Sequence, residues 1–304
     1  MEFPKSVNIT EVGPRDGFQS ISEWIPTELK LEIIEGLIQS NFKKIEVTSF
    51  VSPKAIPQTK DAKEIVSTLL QKYQFKDVIF NALVPNLFGA KAAYESGLRD
   101  ITYVISASMS HNMANVKRTR EESFTELKEI KNQFSDLNIN LAVGTTFGCP
   151  YEGDIPVKEI NMMVQNGLDI GVSEISLADT IGIANPQQMY VLLSELKQNF
   201  SDVDFTLHLH DTRGMGLANV LMALQCGIHT FESALGGLGG CPFAPGAAGN
   251  IASEDLVNML ESMNIDTGIF LPKLLDTVKI VKEKIKPTLS SHMAYVNTCS
   301  KEAV

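Results

Sequence analysis

Eight short runs rich in β-branched residues, each followed by apolar residues at helical spacing, set the tightest limit on how this chain can fold. They read VNITEV from Val7, KKIEVTSF from Lys43, DVIFNALV from Asp77, DITYVISA from Asp100, NINLAVGTTF from Asn138, EISLAD from Glu174, DFTLHLH from Asp204 and TFESALG from Thr230. Between them, Leu29, Ile33, Leu37 and Ile38, or Leu217, Val220, Leu221 and Leu224, fall on one helical face. Helix starts are expected at Pro26-Thr27 and Pro186, and helix stops at Gly97, Gly167 and Gly227. Strict alternation over roughly 250 residues, with no linker-like tract and no solenoid period, predicts an α/β fold of the (β/α)8 TIM-barrel type. The expected organisation is one catalytic domain over residues 1–304, with the barrel at about 5–262 and a C-terminal helical region at about 263–304. A doubly wound sheet is the alternative, and eight units disfavour it.

Composition narrows the partners. A chain of 304 residues, 44% hydrophobic, can bury a core of that size. Its formal net charge of −10 argues against nucleic acid and membrane surfaces as partners, because both recruit basic footprints. Cys149, Cys226, Cys241 and Cys299 show no CxxC spacing, so reduced thiols in a cytoplasm are expected rather than disulfides or a zinc knot. The opening MEFPKSVNIT has neither an apolar core segment nor an Arg-rich start, and no run of ~18 apolar residues follows. A soluble, unprocessed cytoplasmic protein is expected.

In a barrel of this type chemistry gathers where strands end and βα loops begin. His208 and His210 lie two residues apart at the end of the seventh run, so both rings face the same side of a strand. Two histidines satisfied by core hydrogen bonds would be the plain explanation; two imidazoles converging on one metal ion is the sharper one. Two nitrogens seldom hold a divalent metal alone, so oxygen donors must come from elsewhere. After the first run, Pro14-Arg15-Asp16-Gly17 sets a guanidinium beside a carboxylate on the first βα loop. That stretch also reads as an ordinary Pro-Asp-Gly turn. The first and eighth strands of a closed barrel adjoin, which brings Asp16 towards GGLGGCPFAPGAAGN, a Gly-rich loop carrying Cys241 and ending at Asn250. This loop lacks the glycine spacing and the strand-helix context of a dinucleotide fingerprint, which rejects NAD.

Taken together, TEVGPRDGFQS, IEVTSFVSP, FGCPYEG, HLHDTRG and GGLGGCPFAPGAAGN resemble the 3-hydroxy-3-methylglutaryl-CoA lyase family. That family sits within a wider group of metal-dependent barrel enzymes that includes isopropylmalate synthase and 4-hydroxy-2-oxovalerate aldolase. The resemblance spans roughly residues 5 to 285. It implies that Asp16, His208, His210 and Asn250 bind a divalent cation, Mg²⁺ or Mn²⁺, with the nitrogen donors tilting the site towards Mn²⁺. It implies that Arg15 steadies the thioester oxygen, that Cys241 is a catalytic thiol on a mobile loop and that Glu46 is a carboxylate facing the same site. Arg15, Gln19 and Asp179 are the candidate substrate-binding residues. The implied substrate is an acyl-CoA, the implied setting leucine catabolism, and a homodimer is the oligomer to test.

Some features stay open on sequence alone. Asp179, at the end of the sixth run, is either a site carboxylate or a strand-end cap. Glu254 is an acidic residue of the kind expected in a first helical turn. Lys117, Arg118 and Arg120 are read as a solvated helix start rather than a CoA-phosphate site. Where the family commonly has Ser-Glu, this chain has Ser108-Met109, and Ala178 stands where Gly is common; both substitutions put the acyl group in question. The competing functions are a related acyl-CoA synthase or 2-oxo acid aldolase, a zinc amidohydrolase, and a non-catalytic metal-binding barrel.

Overall fold

The structure is a computed structural model that describes residues 3–74, 76–240 and 248–296. Eight parallel strands close into one barrel in sequence order, which excludes the doubly wound alternative. They are β1 Asn8–Glu11, β2 Lys44–Ser49, β3 Ile79–Val84, β4 Asp100–Ser106, β5 Asn138–Gly144, β6 Glu174–Asp179, β7 Phe205–Leu209 and β8 Thr230–Ser233. The ring shuts where Asn8 pairs with Thr230 and Glu11 with Ser233. Among the described residues ten α-helices lie around it: α1 Thr27–Gln39, α2 Ala62–Tyr73, α3 Leu87–Glu95, α4 Met109–Val116, α5 Arg120–Gln133, α6 Val157–Ile170, α7 Pro186–Asn199, α8 Gly216–Gln225, α9 Ser253–Ser262 and α10 Leu271–Lys284. Among the described residues no helix is long and apolar enough to cross a membrane.

The two faces of each strand do different work. Outward-pointing residues such as Ile45, Ile101, Leu141, Leu177 and Leu207 are completely or almost completely buried and form the apolar layer against the helices. Many of the inward-pointing positions are polar. Asn140 on β5 and Ser176 on β6 both reach Glu232 on β8, at 3.5 and 3.3 Å, and Lys44 on β2 pairs with Glu174 on β6 at 2.6 Å. These bonds join non-adjacent strands, so they cross the barrel interior.

Helix starts follow side-chain chemistry: Asn86, Ser108 and Asn185 cap α3, α4 and α7, and Thr119 with Glu122 forms a capping box on α5. Gly97 and Gly227 directly follow the C-caps of α3 and α8, as expected. Gly167 does not stop α6, which continues to Ile170 and ends at Gly171 with φ 85°. A Cβ at Gly167 would lie 2.7 Å from Leu141 Cδ2, so this glycine lets the helix approach the barrel. The fifth run also ends early. Strand β5 stops at Gly144 because Thr145 turns left-handed at φ 55° and the chain leaves the sheet, with Thr146 N–H donating to Ala178 O at 3.0 Å.

Candidate active site

Immediately after β1, Gly13–Gly17 forms one wide helical turn that carries Arg15 and Asp16. Glu11 anchors it: one carboxylate oxygen accepts from Gly13 N–H at 2.7 Å and Leu235 N–H at 3.0 Å, and the other accepts from Ser253 Oγ at 2.5 Å. Glu254 accepts from Gly236 N–H through both oxygens, at 3.1 and 3.0 Å. Glu11 therefore ties the loop after β1 to the loop after β8, and Glu254 ties the latter to α9. Burial lifts Glu11 to about 8 and Glu254 to about 7, against the hydrogen bonds that favour their ions. Gly13 has no room for a side chain, since a Cβ there would meet Leu235 Cδ2 at 2.2 Å.

Beside this turn lie the histidines. His208 Nε2 and His210 Nε2 face each other at 3.2 Å, and His208 Nδ1 is 2.8 Å from Glu232 Oε2. His210 lies just beyond β7, where an isolated bridge pairs it with Asn250. Asn250 Nδ2 donates to Asp16 Oδ2 at 2.7 Å, while Asn250 Oδ1 and His210 Nδ1 are buried without a hydrogen-bond partner. Asp16, His208 and His210 offer ligand atoms within 4.8 Å of one another. Burial works against the Asp16 anion, but Arg15, both histidines and Asn250 outweigh it and hold the carboxyl at about 2. Burial and the neighbouring His208 push His210 down to about 4, so it is neutral at pH 7. Burial alone would lower His208, yet Glu232 and Asp16 raise it. Facing imidazole nitrogens, an ionised carboxylate and an orphaned amide oxygen are the donor types that a divalent cation of intermediate softness requires. The residues fit the metal.

The Arg15 guanidinium is bound between Asp16 and Glu46. Burial opposes its charge, but the two carboxylates raise its pKa further. Glu46, inward-facing on β2, also receives Asn81 Nδ2 at 3.4 Å, and burial raises it despite Arg15. Gln19 Nε2 donates to Asp16 Oδ1 at 2.7 Å. Arg15, Asp16, Gln19, His208, His210, Glu232 and Gly240 are among the residues that line a cavity of about 470 Å³.

Most of the sequence-derived candidates thus come together: Arg15, Asp16, Gln19, Glu46, His208, His210 and Asn250. Cys241 lies outside the described residues, as does Cys299. Asp179 departs from the substrate-contact expectation. Its two oxygens accept from Ile183 and Ala184 N–H at 3.0 Å each, so it caps the turn after β6, and its neighbours Ala178 and Thr180 line the cavity instead. Met109 is half exposed at the start of α4 and is not part of the lining, whereas Ala178 is. Arg118 and Arg120 pair with Glu126 at 3.1 Å and Glu159 at 2.9 Å, in keeping with a helix start. Cys149 is buried, with Sγ 2.9 Å from Ser108 Oγ.

Two residues escaped the sequence reading. Glu232 is signalled only by an acidic residue at an inward position of a strand. His111 lines the cavity from α4, 2.8 Å from Ser106 Oγ through Nδ1, and nothing in its local pattern marks it.

Comparison with known proteins decides the relationship. The HMGL-like family model matches residues 6–281. The chain belongs to the HMGL-like family. A hydroxymethylglutaryl-CoA lyase of Bacillus subtilis is 44% identical, over 96% of this chain and 97% of its own length. An (R)-citramalyl-CoA lyase of Chloroflexus aurantiacus is 40% identical, over 89% of this chain and 88% of its own. An HMG-CoA lyase of Acinetobacter baumannii, solved with coenzyme A and 3-methylmalate, superposes with a TM-score of 0.91 at 43% identity, covering 97% of this chain and 96% of that one. Relatives at similar distance therefore carry names with different acyl groups.

Proposed function

We propose that the protein is a divalent-metal-dependent carbon–carbon lyase that cleaves 3-hydroxy-3-methylglutaryl-CoA, or a close 3-hydroxy-3-alkylglutaryl-CoA, into acetyl-CoA and the matching 3-oxo acid, acetoacetate for the methyl compound. The observation that carries this reading is the convergence of Asp16, His208 and His210 beside Arg15 in one cavity at the strand ends.

Cleavage removes a proton from a tertiary hydroxyl, breaks the adjacent carbon–carbon bond and leaves an enolate on the thioester half. A bound Mg²⁺ or Mn²⁺, held by Asp16, His208, His210 and Asn250, would acidify that hydroxyl and orient it. Arg15, charged at every working pH and fixed by two carboxylates, is the partner for the enolate oxygen. Glu232 fixes His208 by bonding Nδ1, which turns Nε2 towards the donor cluster. Glu46 is an acid–base candidate within the same constellation, its pKa raised by burial. Cys241 is proposed to protonate the acetyl-CoA carbanion equivalent. A cytoplasmic location, a homodimer and a role in leucine catabolism belong to the same proposal.

The test is turnover of 3-hydroxy-3-methylglutaryl-CoA by the purified chain, with acetoacetate and acetyl-CoA both measured. Chelation should abolish activity and Mg²⁺ or Mn²⁺ should restore it. Full turnover by rigorously metal-free protein would end the metal assignment.

A further inference from the structure

One side of the cavity is apolar and incompletely covered. After the first residue of each strand, β3, β4 and β5 are buried except at a single position, and those positions are Leu83, Val104 and Ala142. All three line the cavity, as does Ala178 on β6. The strand register makes them one strip: Val104 pairs with Ala142, Ala142 with Ser176 just below Ala178, and Ala178 with His208. The strip therefore begins beside a metal donor and runs around the barrel wall to β3.

Its depth gives it meaning. Val51 and Ile56 in the loop after β2 and Val116 at the end of α4 also border the cavity, and an acyl-CoA's pantetheine arm would enter over this rim. The strip lies lower, at strand level with His208, where the carbinol carbon would sit. Barrel interiors of this type are usually filled by bulky branched side chains, whereas Ala142 here leaves space. Partly exposed apolar side chains inside a cavity gain from being covered by an apolar ligand group.

We propose that the preferred acyl group carries propyl or a longer alkyl chain, in place of methyl, on the hydroxyl-bearing carbon, and that Val104 and Ala142 set this preference. The inference rests on the lyase reading and deepens it. The chemistry keeps the same balance: the hydroxyl proton leaves, a ketone forms at C3, and the C2–C3 electron pair becomes the acetyl-CoA enolate, which is then protonated. The other product is a 3-oxo acid bearing the longer chain.

The experiment uses the purified full chain with Mn²⁺ and CoA thioesters of 3-hydroxyglutarate bearing methyl, ethyl, propyl or isobutyl at C3, with acetyl-CoA release as readout. From methyl to propyl, kcat/KM should rise about fourfold per methylene, the factor expected for a newly buried CH₂. Ala142→Leu should cut the propyl-to-methyl ratio by about tenfold or more, and Val104→Ala should raise it. Should Ala142→Leu not fold, Ala142→Val and Val104→Ala supply the same comparison. A parent propyl-to-methyl ratio at or below one, or a ratio unmoved by the wall variants, overturns the proposal and leaves the lyase reading standing. Cleavage of no thioester in the series overturns both.

Discussion

Replacing Glu232 probes the metal centre through a residue that touches no donor site except by orienting it. Glu232 Oε2 lies 2.8 Å from His208 Nδ1, with both side chains about nine-tenths buried, at 11% and 10% exposure. A hydrogen bond to a charged partner contributes about 1.5–3 kcal/mol, which corresponds to roughly 10- to 150-fold in an equilibrium constant. Outer partners of metal-bound histidines typically change affinity by about 10- to 100-fold. Glu232→Gln keeps an acceptor while losing the charge, so Mn²⁺ affinity should fall about tenfold; Glu232→Leu loses both and should approach a hundredfold. Isothermal titration of the metal-stripped full chain with Mn²⁺ reads this directly, with circular dichroism checking that the barrel persists. Affinities within twofold of the parent for both variants would refute the claim that Glu232 sets the His208 ring.

Arg15→Met should keep Mn²⁺ binding but lower kcat by about 10²-fold or more, the usual cost of removing an oxyanion partner; an unchanged kcat would remove Arg15 from the enolate. Cys241→Ser should bind metal and substrate normally yet turn over slowly, and iodoacetamide should label Cys241 with loss of activity that substrate prevents; a fully active variant would leave the thiol without a role. Folding raises Glu11 from 4.5 to about 8, so between those values the native state holds more protons than the unfolded chain, and stability falls as pH rises through this window. Glu11→Gln mimics the protonated acid, keeping an oxygen for Gly13 and Leu235 and an N–H for Ser253, so its unfolding midpoint should decline less than the parent's between pH 5 and pH 9 (about that range, from the same linkage). Parallel declines in both proteins would show that Glu11 does not carry the effect.

The barrel was legible because its strands and helices repeat two distinct periods, and because glycines and capping residues punctuate them. The errors came from residues whose role depends on a partner distant in sequence. Gly167 looked like a helix stop until Leu141 was seen to need the space. Asp179 offered two readings from sequence, and only the backbone of Ile183 and Ala184 decides between them. The donor set of Asp16, His208, His210 and Asn250 was reached through motif resemblance; its physical basis is the bridge that places Asn250 beside His210. Glu232 went unseen because its importance depends on His208, which lies 24 residues away on the neighbouring strand. Ala142 gave no local signal at all, since a small residue in a strand acquires meaning only when a cavity opens beside it.

The contrast between an apolar outer face and a largely polar inner face of the barrel separates cohesion from chemistry. The annulus of Ile45, Ile101, Leu141, Leu177 and Leu207 against the helices packs the molecule together, while Asn140, Ser176 and Glu232 are joined by hydrogen bonds across the interior. Mutations that point outward meet the full penalty of a disrupted core, whereas partly exposed inward positions such as Val104 and Ala142 carry less of the packing. A gene copy of such a chain is free to explore new acyl groups while its fold remains intact, one inward side chain at a time.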